Sequence, residues 1–80
     1  MMYFVALPFL PLQNGGFAPG TAIECPNAAA AIGCAEALSR DTANSGALAF
    51  SRQGNTDVGE FEDAVILKTF GEVPEDFGRA

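Results

Sequence analysis

The stretch Gly46-Ala-Leu-Ala-Phe-Ser-Arg-Gln-Gly-Asn-Thr-Asp-Val-Gly-Glu-Phe-Glu-Asp-Ala-Val-Ile-Leu-Lys-Thr-Phe-Gly71 decides the fold. It holds two apolar segments, residues 47–52 and 60–70, joined by a connection at 53–59 dense in Gly, Asn, Thr and Asp. Aromatic and branched residues bounded by such turn formers read as two strands of a hairpin. In the second segment, Ala64-Val-Ile-Leu67 is continuously apolar, the pattern of a strand covered on both faces. Regular alternation would send Val65 and Leu67 to one face and Ala64, Ile66 and Phe70 to the other.

Upstream, residues 3–10 are rich in aromatic and branched side chains and predict a first strand. Asn14-Gly15 is a hairpin signal, because both residues tolerate positive φ. The chain can then return as a second strand over 17–25. Pro19 cannot donate to a ladder, which assigns that part of the strand to an edge or a bulge. Pro26-Asn27 ends it, and Asn27 is placed to cap a helix over 28–43. At helical spacing Ala28, Ala31, Ile32, Ala35, Leu38 and Thr42 share one face, with Glu36 and Arg40 opposite as an i,i+4 pair. That face is mostly alanine, so the helix can approach a sheet closely while the strands supply the bulky core. Gly33 costs the helix about 1 kcal/mol relative to Ala. Asn44-Ser45-Gly46 stops it. The expectation is an α+β domain over residues 1–72, ordered ββαββ: a four-stranded, mainly antiparallel sheet with one helix packed on one face. Residues 73–80 are an acidic tail, expected to be extended.

Composition narrows the function classes. Eighty residues with 49% hydrophobic content and seven Phe make one small globular domain and exclude intrinsic disorder. Ten acidic residues against four basic ones leave a net charge of −6, and Arg40, Arg52, Lys68 and Arg79 are scattered singly. Nucleic acid and anionic membrane surfaces both need clustered positive charge, so neither is an expected partner. The apolar opening has no Lys or Arg, is interrupted by Pro8 and Pro11, and is too short to span a bilayer as a helix. A cytoplasmic, unprocessed chain is expected. Cys25 and Cys34 are not spaced as a C-x-x-C pair, and there is no His to complete a soft-metal site. They read as reduced, partly buried thiols. A sharper reading makes Cys25, near the predicted helix start, a reactive thiol.

Gly46-Ala-Leu-Ala-Phe-Ser-Arg-Gln-Gly, followed by Gly59-Glu-Phe-Glu-Asp-Ala-Val-Ile-Leu and Phe70-Gly-Glu-Val-Pro74, resembles the C-terminal half of a group of small uncharacterised bacterial proteins. With Tyr3-Phe4-Val5 the resemblance covers most of the chain. It implies a bacterial source and brings no function with it. The strand-hairpin-strand-helix order of residues 3–43 is also similar to that of antitoxins of the HicB type, which implies an antitoxin-like regulator.

The lack of His removes the commonest general base and both the Ser-His-Asp and Cys-His arrangements. Gly15-Gly16 and Gly20 lack the spacing and Lys of a phosphate loop and fit a hairpin instead. Asp57, Glu60, Glu62 and Asp63 follow no calcium-loop pattern, and solvated charges that keep an apolar hairpin soluble are the favoured reading. Arg52 opposite Glu60 and Glu62 is the best local constellation: a cross-strand ion pair, or an Arg that binds an anionic ligand or partner. Asp63 stands at the entrance to the apolar run, where an inward carboxylate would need a partner. No catalytic residue, cofactor or metal is assigned. The favoured function is a non-enzymatic protein-interaction or regulatory module. The alternative is a small-ligand-binding domain or small enzyme using Arg52 and the carboxylates Glu60, Glu62 and Asp63. Because one short helix covers one sheet face, a homodimer through the other apolar face is expected, with a loop or the tail as the alternative cover.

Overall fold

The computed structural model describes residues 2–55, 60–61 and 64–74. The elements run β1 (Met2–Pro11), β2 (Phe17–Pro19), β3 (Ile23–Cys25), α1 (Ala28–Ser39), β4 (Gly46–Asn55), β5 (Glu60–Phe61) and β6 (Val65–Gly71). Every strand pairing is antiparallel, and one helix packs on the sheet, giving the expected α+β class. The central pair is β1 with β4, from Met2 opposite Gln53 to Phe9 opposite Gly46. On the outer side of β1 lie β2 and β3; on the outer side of β4 lies β6, while β5 continues the far end of β4 as a short ribbon.

The single strand expected over 17–25 is two strands, and the cause lies on its neighbour. Phe9 presents its carbonyl to β4, where Ser45 N–H donates to it at 2.8 Å. Its neighbour Pro8 therefore faces the other way, and its carbonyl accepts from Gly20 N–H at 2.8 Å. The missing N–H of Pro8 points to that same side, so the ladder has no donor there. The outer strand breaks between β2 and β3 opposite this gap. Pro19, in contrast, is tolerated within β2 opposite Phe9.

The two faces of the central pair differ in side-chain size. Ala6 of β1 and Ala47 and Ala49 of β4 face α1, where they meet Ala31 and Ala35; all five are fully buried. Leu7, Phe9, Leu48 and Phe50 form the opposite cluster, with Phe17, Ala64 and Val73 packed against it. Small residues thus stand where a helix backbone must approach, and large ones where the chain's own strands and loops must fill space. Around these four residues the second face is covered within one chain.

Strand β6 departs from expectation. It is an edge strand, with Val65 61% and Ile66 39% exposed; the doubly covered strand is β4, buried continuously from Gly46 to Ser51. Ala49 pairs with Lys68 but Phe50 pairs with Ile66, so Leu67 is an extra residue forming a bulge. The bulge breaks the alternation and brings both Leu67 and Phe70 onto the helix-side cluster. Regular pleating would have put them on opposite faces.

Helix α1 starts where expected: the Asn27 side chain accepts from Ala30 N–H at 2.8 Å. It ends at Ser39, earlier than the predicted 43, because polar side chains capture the next turn's backbone. Asp41 Oδ1 accepts from Ala43 N–H at 2.9 Å, and Asn44 Nδ2 donates to the Leu38 carbonyl at 2.9 Å. Thr42 therefore lies beyond the helix. The Glu36–Arg40 pair forms at 2.6 Å on the exposed side, worth about 0.3–0.5 kcal/mol. The turn after β1 carries Gly15 at φ +87° but Asn14 keeps a negative φ, so it is a four-residue turn closed by Gly15 N–H donating to the Leu12 carbonyl at 3.1 Å and not the two-residue turn in which both Asn and Gly are left-handed.

Candidate functional site

Pleating of β1 and β4 brings their odd- and even-numbered residues together on the face away from α1. Tyr3 lies opposite Arg52, and Val5 opposite Phe50. With Ala22, from the break between β2 and β3, these four line an open cleft of about 390 Å3. This volume falls within the roughly 300–1,000 Å3 of small-molecule sites. The walls are mainly apolar, and Arg52 brings the one formal charge among the described lining residues.

The Arg52 guanidinium carbon stands 5.9 Å from the centroid of the Phe50 ring. This cation–π arrangement holds the head over an apolar surface. Its Nε is buried and has no hydrogen-bond partner. A buried donor left unmade costs about 1–3 kcal/mol, more when charged.

Of the other residues singled out in the sequence, Glu60 lies in β5, its backbone paired with Asn55, three positions beyond Arg52. Glu62 and Asp63, like Asp57, lie outside the described residues. Among the described residues the ion pair present is Arg40–Glu36, and none group three or more His, Cys, Asp or Glu in metal-binding geometry. Tyr3, Val5, Ala22 and Phe50 were not anticipated as lining residues. The signal that could have found them is the small–large alternation of Ala6-Leu-Pro-Phe9 and Ala47-Leu-Ala-Phe50. Aligning its large members places Tyr3, Val5, Phe50 and Arg52 on one face.

Among the described residues, no helix is long and apolar enough to cross a membrane. No family model, curated protein or solved structure matches the chain. Neither resemblance drawn from the sequence gains support from these comparisons.

Proposed function

We propose that the cleft between Tyr3, Val5, Ala22, Phe50 and Arg52 binds a small molecule carrying a carboxylate on an apolar body. The observation behind this reading is the buried, unpartnered Nε of Arg52 beside apolar walls. The apolar part would lie against Val5 and Phe50, and the carboxylate would accept from the guanidinium. No nucleophile or general base is placed in this reading; it is a binding site, of the kind a small sensory or regulatory domain uses.

The test is a thermal-shift and 15N NMR screen with aryl and alkyl carboxylates, each paired with its neutral amide. Carboxylates should raise Tm and move the amides of Tyr3, Phe50 and Arg52, and the paired amides should not. At a hundred times Kd the stabilisation is about 2.7 kcal/mol. Arg52→Met keeps the alkyl stem and should weaken binding about 10–100-fold, the worth of a charge-assisted hydrogen bond of about 1.5–3 kcal/mol. Equal responses to carboxylate and amide would sink the reading.

A second reading concerns assembly and rests on edge strand β6, which exposes Val65, paired with Ser51 on the helix side, and Ile66, paired with Phe50 on the other. We propose a twofold homodimer in which this open edge pairs with its counterpart in a second copy, the mode that makes an interaction module of the chain. Val65→Lys should then give a monomer at concentrations where the parent chain is dimeric by sedimentation equilibrium. A monomeric parent at high micromolar concentration refutes the dimer.

A further inference from the structure

Two of the side chains that close the alanine-lined layer are thiols. Cys25 is the last residue of β3, paired with Phe4, and Cys34 lies in the middle of α1. Both pack against the cluster of Ala6, Ala31, Ala35, Ala47 and Ala49, and both are free and half-buried. Strand β3 and helix α1 are in direct contact. Cys25 Sγ lies 3.5 Å from the Ile23 carbonyl, a weak hydrogen bond.

We propose that Cys25 and Cys34 form a reversible disulfide that ties β3 to α1, made by exchange with a low-molecular-weight disulfide. The thiolate of one cysteine attacks a sulfur of the oxidant RSSR, giving a mixed disulfide and releasing one RS−. The second cysteine, deprotonated in turn, attacks the protein sulfur of that mixed disulfide and expels the other RS−. The two protein thiols are oxidised to one cystine, and RSSR is reduced to two RSH once the released thiolates take up the two protons.

Three features favour ring closure over a lasting mixed disulfide. Both cysteines are half-buried and neither is sealed in the core, which leaves a path for a small oxidant. Burial first, and then the neighbouring Cys34 thiol through charge and hydrogen bonding, holds the Cys25 proton more tightly than in an ordinary cysteine, which places the two groups side by side while slowing attack by Cys25 itself. The third is strand length. β3 has three residues and adjoins the break opposite Pro8, so few ladder bonds fix it and a covalent tie adds a constraint the sheet lacks.

The experiment equilibrates the full chain with glutathione and glutathione disulfide at rising ratios, quenches with acid and measures intact mass. The expected product is two mass units lighter than the reduced chain, with no glutathione attached, and yields a peptide pair joined through Cys25 and Cys34. In about 1 mM glutathione the bridged form should exceed the mixed disulfide at least about tenfold, because the second thiol is presented at a high effective concentration. Its Tm should rise by about 5–15 °C and return on reduction. Cys34→Ser, checked for folding by circular dichroism, should stop at the one-glutathione adduct. A parent chain that stops at a mixed disulfide, bridges only between molecules, or stays reduced under strongly oxidising ratios overturns the proposal. The parent-chain result stands whether or not the variant folds.

Discussion

Gly46→Ala is expected to remove more than half of the chain's stability. A methyl group on Gly46 would lie 2.5 Å from the carbonyl oxygens of both Phe70 and Glu72 and 2.6 Å from the Glu72 nitrogen. All three are backbone atoms, fixed because Gly46 pairs directly with Gly71 and with Phe9 on the other side. No rotamer change relieves such contacts, so β6 must leave β4 at this end. The neighbouring clasp goes with it: the single Ser45 hydroxyl proton is shared between the Phe9 and Glu72 carbonyls, at 3.1 and 3.2 Å from Oγ, and Glu72 N–H donates to the Ser45 carbonyl at 3.0 Å. Overpacking against backbone on two sides should cost about 3 kcal/mol or more. A domain of this size has about 5 kcal/mol in total. With a urea dependence of about 1 kcal/mol per molar, the midpoint should fall by about 3 M. Gly33→Ala is the control. It meets nothing within 4 Å on the exposed side of α1, and should stabilise by up to about 1 kcal/mol. A Gly46→Ala midpoint within about 0.5 M of the parent's would show that the β4–β6 pairing is wrong at this end.

Leu48→Ala and Ala49→Leu should both destabilise, for opposite reasons. Leu48 is 1% exposed and the largest fully buried side chain among the described residues, set among Leu7, Phe9 and Phe50. Truncation leaves a cavity and should cost about 2–5 kcal/mol. Ala49, its neighbour, is fully buried against Ala6, Ala31 and Ala35. A leucine there pushes α1 off the sheet at a cost of about 1–3 kcal/mol. The double exchange preserves total side-chain volume and should rescue nothing, because adjacent strand residues occupy different layers. Urea unfolding of the two single variants and the double variant measures this. Recovery of stability in the double variant would show that the faces are not segregated by size.

What could be read from the sequence was local. The Asn27 cap, the Asn14-Gly15 turn, the Glu36–Arg40 pair and the alanine face of the helix all depend on residues a few positions apart. Their physics needs no knowledge of the rest of the chain. The misreadings arose where one strand acts on another. Pro8 breaks its neighbour's ladder, which becomes visible only when that neighbour is known. The bulge at Leu67 appears only in the register against β4. The continuous apolar run of β6 looked like a doubly covered strand, yet the alternating Ala47-Leu-Ala-Phe50 is the one covered on both sides. That run is continuously apolar too, but its small and large members alternate, small toward the helix and large toward the other face. The cleft follows the same division. Arg52 was identifiable by residue type, whereas Tyr3 and Val5 come from the other side of the β1–β4 pairing.

That pairing also governs how the molecule can assemble in time. Phe9 and Gly46, its nearest partners along the chain, are separated by nearly half the polypeptide, and Met2 and Gln53 by more. The β1–β2 turn and α1 can form from neighbours within microseconds, but neither has a core to join until the distant central strands meet. Closure of the loop that carries β2, β3 and α1 is therefore expected to limit the rate, with its entropic cost met before the buried leucines and phenylalanines are brought together. Before that closure, Ala47-Leu-Ala-Phe50 is an uncharged apolar strand whose edge toward β1 is open, the segment through which newly made copies of the chain would stick to one another.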